Sequence, residues 1–382
     1  MASLKVISAD SHMMEPPDLW VERLDNKFKD RAPKVITQDA GSRPLFHAPG
    51  LEPYPISVAF AAGRSGNELR EFIGKAGAQD AERFRDPAKR IEDQDRDGVS
   101  AEVLYTTLGM SLFGLEDAEL QAACFKAYND WTAEFCSYDQ RRFIGMALIS
   151  LADIELGARE LRRAAKIGLR GAMIWGAPPP DKPFWHPMYD PLWTAAQELA
   201  MPLSLHVITG GPKTRARKED RAPQEFRPRM KGLGRLTGYM TLPVEVQASF
   251  SEIIMGGVLM RFPRLKLVSA ENDCGWIPHF MYRMDHAFEK FGVGLEQPLD
   301  LKPSEYVRRQ LWATFQDDPI GPLIADYFGE DRYMWASDYP HTDSTFPHSR
   351  EVIERDFAGV SEPIKRKIVC DNAAQLYRVD IS

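Results

Sequence analysis

Short apolar segments alternate with amphipathic stretches along most of this chain. From about residue 86 onward, each apolar segment is followed by a stretch whose apolar positions recur every three or four residues, as in a helix. Together with an apolar run near the N-terminus, the pattern predicts strands at residues 6–9, 101–107, 143–150, 171–175, 203–208, 265–270, 311–315 and 333–337. Helices are predicted between them, notably at residues 118–138, 154–167, 191–200, 243–261 and 319–328. Eight such alternations predict an α/β fold, a closed (β/α)8 TIM barrel.

Two longer segments, residues 13–86 and 209–241, interrupt this rhythm and are rich in proline, glycine and charged residues. They follow the first and fifth predicted strands, at the end of a barrel that carries the active site, so we expect lids or substrate-covering loops. Surface insertions without a role are the alternative. A single domain is expected over residues 1–382, with a final helix that starts after Ser361 and completes the outer layer.

Composition adds limits on location and partners. The 382 residues are 44% hydrophobic and 27% charged, which is ordinary for a globular protein. The formal net charge is −7 with both signs interspersed, so no basic face for nucleic acid is expected. No apolar run approaches the roughly 20 residues that cross a bilayer, and no signal peptide is evident, so we expect a cytoplasmic protein without a membrane partner. The four cysteines lack CxxC spacing and are expected to be buried thiols.

The first candidates for chemistry are Asp10 and His12, where the N-terminal apolar run ends. Side chains alternate along a strand, so these two lie on one face and point the same way. At the mouth of a barrel, an adjacent carboxylate and imidazole can bind a metal ion. A strand that runs out into a polar loop is the alternative.

Three more candidates lie at the ends of predicted strands: His206 on the fifth, and Asp338 and His341 after the eighth. Catalytic residues of a (β/α)8 barrel come from the carboxyl ends of several strands, which converge on the barrel axis. Imidazole and carboxylate ligands together suit zinc, iron, manganese or nickel better than calcium. The sequence therefore predicts a divalent-metal site at this mouth.

The same positions carry a family resemblance. Residues 9–16 (ADSHMMEP), the strand that ends at His206, and residues 335–341 (WASDYPH) resemble the amidohydrolase-2 branch of the amidohydrolase superfamily. Supporting similarities lie at residues 262–268, 275–278 and 371–377, so the resemblance covers nearly the whole chain. It implies a metal-dependent (β/α)8 barrel, either a hydrolase or a nonoxidative decarboxylase, that forms a homodimer or higher oligomer.

By this resemblance, Asp10 and His12 stand at the first-strand metal pair, and His206 stands at the fifth-strand ligand. Asp338 stands at the eighth-strand carboxylate, which in the family both binds metal and moves protons. Two positions depart from the pattern. The first pair is Asp-x-His where His-x-His or Glu-x-His is common, and Glu271 stands where many members have a histidine.

A carboxylate at position 271 beside a metal is expected to become a ligand. The candidate metal ligands are then Asp10, His12, His206, Glu271, Asp338 and His341. Three or four of these are enough for one catalytic ion, whereas a set of this size can hold two ions about 3.5–4 Å apart. The predicted cofactor is therefore one or two ions of zinc, iron or manganese.

The principal hypothesis is a metal-dependent hydrolase or nonoxidative carboxy-lyase that acts on a small carboxylate, ring or acyl substrate. Asp338, His341 and Glu271 are the predicted catalytic residues. One alternative keeps the barrel but makes it a dinuclear iron or iron–manganese oxygenase. Another is a non-catalytic barrel subunit of a larger assembly. The expected partner is a small molecule.

Overall fold

The computed structural model describes residues 4–37, 43–212 and 237–380. Eight strands lie side by side in sequence order, and all the neighbouring pairs are parallel. They are β1 (Ile7–His12), β2 (Ala101–Tyr105), β3 (Phe143–Leu148), β4 (Gly171–Ile174), β5 (Leu203–His206), β6 (Leu267–Ala270), β7 (Leu311–Phe315) and β8 (Tyr333–Trp335). Every residue in them is buried, as expected for a parallel sheet covered on both faces. The predicted (β/α)8 barrel is confirmed.

The ring closes where the segment after β8 meets β1. The backbone N–H of Asp338 donates to the carbonyl of Asp10 at 2.9 Å, and that of His12 donates to the carbonyl of Tyr339 at 2.7 Å. These bonds lie at the carboxyl ends of both strands. Closure therefore brings the first and last predicted metal ligands to one place.

Strand β1 is longer and less regular than predicted. It continues through Asp10 to His12 instead of ending at residue 9, and its pairing with β2 shifts register between Ser8 and Ser11. The hydroxyls of these two serines lie 2.8 Å apart. The extra residue of this bulge breaks strict alternation, but Asp10 and His12 still converge on one site.

Helices surround the strands. Those after β1 to β4 are Pro87–Asp97, Ala118–Cys136, Ile154–Lys166 and Asp190–Leu199, and those after β5 to β8 are Leu242–Met255, Val258–Arg261, Ile277–Phe291, Pro303–Gln310, Ile320–Leu323, Ala325–Phe328 and Ser349–Asp356. Asp86, Asp117 and Asp153 cap the first three, because their carboxylates accept backbone N–H groups of the first turn. Of the helices in the described ranges, none is both long and apolar enough to span a bilayer.

Two predicted helices are interrupted. The helix expected at residues 243–261 is divided at Gly256 and Gly257, and Gly257 has a φ of +71°, in the left-handed region that glycine adopts without a steric penalty. The helix expected at 319–328 consists of two single turns. The four cysteines are buried and free, as expected.

The first insertion folds over the carboxyl end of the barrel. It contains the helices Leu19–Arg23 and Gly66–Lys75, the 3-10 helices Asn26–Arg31, Ser57–Phe60 and Ala78–Arg85, and an antiparallel sheet of Lys34–Ile36, Leu45–His47 and Tyr54–Pro55. The Ala62 N–H donates to the Pro340 carbonyl at 3.1 Å, and the Thr342 hydroxyl donates to the Val58 carbonyl at 2.6 Å. In the second insertion, residues 213–236 lie outside the described residues.

We expected the C-terminal segment to complete the outer layer of helices, but this was wrong. The segment instead covers the end of the barrel opposite the predicted metal ligands. It comprises Glu362–Arg366, the π-helical turn Lys367–Asp371 and Asn372–Tyr377. The Asn372 amide donates to the carbonyl of Tyr333, the first residue of β8, at 2.7 Å. The Tyr377 hydroxyl lies 3.4 Å from that of Tyr105. Both contacts bury polar side chains of the segment at this end of the barrel, which favours this position over one in the outer layer.

Candidate metal centre

The carboxyl ends of β1, β5, β6 and β8 bring all six predicted ligands together. His12 Nε2 lies 3.5 Å from Asp10 Oδ1, 3.4 Å from Glu271 Oε2 and 3.4 Å from Asp338 Oδ1. His206 Nε2 lies 3.6 Å from Asp10 Oδ1 and 3.2 Å from Glu271 Oε2. The site residues are Asp10, His12, His206, Glu271, Asp338 and His341. Ligands about 2.0–2.2 Å from a shared ion are expected to lie at such mutual distances.

Most of these ligand atoms are buried without a hydrogen-bond partner. They are Asp10 Oδ1, His12 Nε2, His206 Nε2, Glu271 Oε2, Asp338 Oδ1 and Asp338 Oδ2. Buried polar atoms are nearly always paired, and unpaired buried charges are costly. A divalent cation would satisfy the whole group at once. The site is therefore able to hold a divalent metal.

Hydrogen bonds on the far side of two imidazole rings fix their orientation. His12 Nδ1–H donates to the Thr106 carbonyl at 2.7 Å, and His206 Nδ1–H donates to the Val207 carbonyl at 3.0 Å. In each ring the Nε2 lone pair is then left to face the site, which is the usual arrangement of metal-binding histidines.

His341 faces the site with its other nitrogen. Its Nδ1 lies 3.1 Å from Asp338 Oδ1, while its Nε2 is hydrogen-bonded to the Thr107 hydroxyl at 3.0 Å. The ring stacks on that of His12, with 3.9 Å between centroids. Both imidazoles therefore depend on the loop after β2.

Glu15 holds that loop in place, and our sequence analysis missed this role. Its buried carboxylate accepts the backbone N–H groups of Thr107, Leu108 and Gly109 at 3.1, 3.0 and 3.2 Å, and the Thr106 hydroxyl also donates to it. The residue lies within the ADSHMMEP segment, which was the available signal. One carboxylate thus positions the two threonines that contact the imidazoles.

Arg90 braces the same side of the site and was also missed. It lies on the helix Pro87–Asp97, fully buried, and donates to both oxygens of Glu102 at 2.7 and 3.0 Å. It also donates to the carbonyls of His12 at 2.6 Å and Tyr339 at 3.1 Å. The guanidinium therefore ties the ends of β1 and β8 together.

Thr314 on β7 links ligands from two strands. Its hydroxyl donates to Asp10 Oδ2 at 3.0 Å and accepts the Glu271 backbone N–H at 2.9 Å. The Glu271 and Asp338 backbones have φ values of +54° and +55°. Left-handed backbone is uncommon outside glycine and tends to occur at functional sites. Both carboxylates thus leave their strands through turns that aim them inward.

Burial and mutual charge shift the pKa values in the site. Burial and the neighbouring Asp338 raise the pKa of Glu271 to about 8, and burial with Asp10 raises that of Asp338 well above its ordinary value. Burial alone would lower the pKa of His206, but the charges of Asp10 and Glu271 raise it to about 9. Burial lowers the pKa of His12 and His341. The raised pKa values of Glu271, Asp338 and His206 therefore favour bound protons in the metal-free protein, at positions where a cation would bind.

A family model described as amidohydrolase matches residues 76–379. The chain belongs to the amidohydrolase family. It is 27% identical over 304 residues to 2-amino-3-carboxymuconate-6-semialdehyde decarboxylase of Dictyostelium discoideum, covering 77% of each chain. It is 25% identical over 303 residues to gamma-resorcylate decarboxylase of Polaromonas sp., covering 76% of this chain and 87% of that protein.

Solved structures share the fold over nearly the whole length of this amidohydrolase. An amidohydrolase from Mycobacterium avium subsp. paratuberculosis has a TM-score of 0.78 at 22% identity, covering 99% of this chain and 100% of that one. 5-Carboxyvanillate decarboxylase of Novosphingobium aromaticivorans, complexed with manganese and 4-hydroxy-3-methoxy-5-nitrobenzoic acid, has a TM-score of 0.69 at 22% identity, covering 98% and 96%.

The protein is an enzyme, and the hypothesis of a non-catalytic subunit is not supported. The predicted ligands form groups that could hold a divalent metal, as expected from the sequence. The names of these relatives give no support to the oxygenase alternative.

Proposed function

We propose that this amidohydrolase removes carbon dioxide, without oxidation, from an aromatic carboxylic acid that has a hydroxyl beside its carboxylate. The observation that carries the proposal is the group of buried, unpartnered ligand atoms, which includes both carboxylate oxygens of Asp338. Relatives that decarboxylate gamma-resorcylate and 5-carboxyvanillate support this reaction over the hydrolysis that we also considered.

The residues divide into those that hold the cofactor and one that moves the proton. A bound divalent cation would hold the substrate carboxylate and the neighbouring oxygen and draw electron density from them. Asp10, His12 and His206 would hold that cation. Thr314 and the Thr106 carbonyl keep two of these side chains in position.

Asp338 supplies the proton. Burial and the nearby Asp10 raise the pKa of its carboxyl in the metal-free protein. The proton goes to the ring carbon that bears the carboxylate. The bond from that carbon to the carboxylate then breaks, its electron pair returns to the ring, carbon dioxide leaves, and Asp338 takes a new proton from solvent.

The substrate is expected to enter beside Glu271, the most exposed of the carboxylates in the site at 17%. A small cavity adjoins this side chain. Its lining includes Tyr239, Leu242, Asn272, Gln316 and Asp343. The side chains of Glu271 and His341 are 17% and 13% exposed, whereas those of Asp10, His12, His206 and Asp338 are almost fully buried.

The test is product formation in heavy water. Manganese-loaded protein is incubated with 2-hydroxybenzoate, 2,6-dihydroxybenzoate and 5-carboxyvanillate, and carbon dioxide release and ring deuterium are measured. We expect one deuterium at the carbon that lost the carboxylate and no oxygen consumption. Hydrolysis of amide or ester substrates, with none of these acids decarboxylated, would contradict the proposal, and so would oxygen uptake.

A further inference from the structure

Gln316, the residue after β7, faces the mouth of the barrel. Two positions earlier on this strand, the Thr314 hydroxyl donates to Asp10 Oδ2, so the Thr314 side chain points into the site. Side chains two positions apart lie on the same face of a strand, which places Gln316 on that face, closer to the mouth. Gln316 is 6% exposed and lines the small cavity beside Glu271. Its side chain therefore forms part of the wall next to the proposed substrate entry.

The side-chain carbonyl of Gln316 is buried and unsatisfied. Within residues 4–37, 43–212 and 237–380, its Oε1 has no hydrogen-bond partner. An unpaired buried acceptor is costly, so such atoms are nearly always satisfied by protein, ligand or water. An amide oxygen accepts but cannot donate, so the group that pairs with it must carry an N–H or an O–H.

The size of the cavity limits what can enter it. Its volume is about 40 Å³, far below the roughly 150 Å³ of a cavity that holds a benzene ring. A hydroxyl or amino group fits this space, but an aromatic ring does not. The ring of a substrate must therefore stay over the metal ligands, and only a substituent can reach Gln316.

The charge of the cavity also favours a donor. Three of its lining residues, Glu271, Asp273 and Asp343, are acidic, and none of the described lining residues is a lysine or an arginine. A carboxylate that entered here would meet like charges and no cation. A hydroxyl or amino group would meet only groups that can accept its hydrogen.

Two neighbouring donors in the lining are already used. The Tyr239 hydroxyl donates to Asp343, and the Asn272 amide donates to the Ala270 carbonyl at 2.7 Å and to the Leu205 carbonyl at 3.4 Å. These bonds leave the Gln316 oxygen and the carboxylates as the groups that can still accept. The cavity is therefore built to receive a hydrogen-bond donor.

Building on the decarboxylation proposed above, we propose that Gln316 is a specificity-determining residue. Its side-chain carbonyl accepts a hydrogen bond from a hydroxyl or amino substituent of the aromatic acid, at a ring position that does not contact the metal. The preferred substrate class is thus a monocarboxylic acid with this additional donor. Acids with a methoxy group or a second carboxylate at the same position are poor substrates, because neither group donates a hydrogen bond at neutral pH.

The test measures binding, so it does not depend on turnover. Manganese-loaded protein is titrated in a calorimeter with 2-nitrophenols, in which a nitro group replaces the carboxylate and cannot leave as carbon dioxide. Each free ring position carries in turn a hydroxyl, an amino, a methoxy or a carboxylate group. We expect one position at which the hydroxyl or amino compound binds at least about tenfold more tightly than the methoxy and carboxylate compounds. No such position, or a preference for methoxy or carboxylate, would overturn the proposal.

Variants connect the preference to Gln316. Gln316→Met has a similar length but no acceptor, so the ratio of the hydroxyl to the methoxy affinity should fall to within about threefold of one. Gln316→Glu keeps an acceptor oxygen and should keep the preference. Gln297→Met, at an exposed glutamine, is the matched control and should also keep it. Gln316→Leu replaces Gln316→Met if that variant does not fold. A native ratio in a folded variant without the acceptor would overturn the assignment.

The role of Gln316 and the reaction can fail separately. Release of carbon dioxide from a hydroxybenzoate by an enzyme without a donor preference would overturn the role of Gln316 and leave the decarboxylation intact. A donor preference that Gln316→Met abolishes, without decarboxylation of any acid tested, would support the role of Gln316 and overturn the proposed function.

Discussion

The two sides of the metal centre are built differently. On the side of β1, β2 and β8, which we call the braced side, Glu15 and Arg90 hold the loop and strand ends that position His12 and His341. On the open side, at β5 and β6, Glu271 is 17% exposed and its Oε2 has no hydrogen-bond partner. The braced side therefore fixes the ligand geometry, and the proposed entry of the substrate lies on the other side.

Asp338 gives the strongest test of this division, because it lies at the end of the braced side and is the proposed proton donor. Asp338→Asn cannot donate that proton, so we expect turnover to fall about 10²–10⁴-fold while the fold is kept. Steady-state rates and thermal melting measure both. Asp331→Asn, at an exposed aspartate, is the control. A rate within about tenfold of the native enzyme would contradict the mechanism.

Glu15 tests the braced side without touching the metal. Glu15→Gln removes the charge that four donors share and turns an amide NH₂ toward backbone N–H groups, so both imidazoles lose their support. We expect affinity for Mn²⁺ to fall about 10–100-fold, with a lower melting temperature. Glu119→Gln, on the surface, is the control. Unchanged affinity would show that the loop after β2 is held by other contacts.

The same substitution on the open side is expected to have the opposite effect on stability. Glu271→Gln removes a buried charge whose imidazole neighbour, His206, lies 3.2 Å away and loses its proton above about pH 9. The free energy of unfolding of the metal-free protein at about pH 10 should therefore rise by about 1–3 kcal/mol, although metal binding weakens. Urea denaturation in the presence of a chelator measures this. A decrease in stability would indicate a protein partner for that carboxylate.

The smallest expected effect is the response of the metal-free protein to pH. The pKa values of Glu271 and His206 are raised to about 8 and about 9, so the folded state holds these protons more tightly than the unfolded state. Stability should then fall as pH rises from about 7.5 to 9. His12 and His341 have lowered pKa values and are neutral in both states over this range.

Melting curves at several pH values, with and without Mn²⁺, measure this difference. Bound metal replaces the protons, so the loaded enzyme should show little change over the same range. Equal slopes with and without metal would contradict the assignment of His206 and Glu271 to the metal centre.

Much of the fold could be predicted because its signals are local. Each barrel strand is a short buried run, and each long helix repeats its apolar positions within a few turns. The errors arose where tertiary context overrides these signals, as at the bulge near Ser8 and in the C-terminal segment that ends at Tyr377. Neither the bulge nor the position of the C-terminal segment can be predicted from the periodicity of apolar residues alone.

The ligands could also be predicted, since each follows or ends a strand, but their supports could not. Glu15 acts on residues that lie more than ninety positions away, and Thr314 bonds to Asp10 across 304 positions. No local sequence pattern identifies such a carboxylate or hydroxyl, because its hydrogen-bond partner depends on how the barrel closes.

The sequence by itself determined the eight strands, the order in which they carry Asp10, His12, His206, Glu271, Asp338 and His341, and a chemistry suited to a divalent metal. Only the tertiary structure decided which nitrogen of each imidazole faces the site and which ligand atoms lie close enough together to share an ion. The reason is that periodicity is set by neighbours in the chain, whereas orientation and charge are set by groups that meet only when β8 closes on β1.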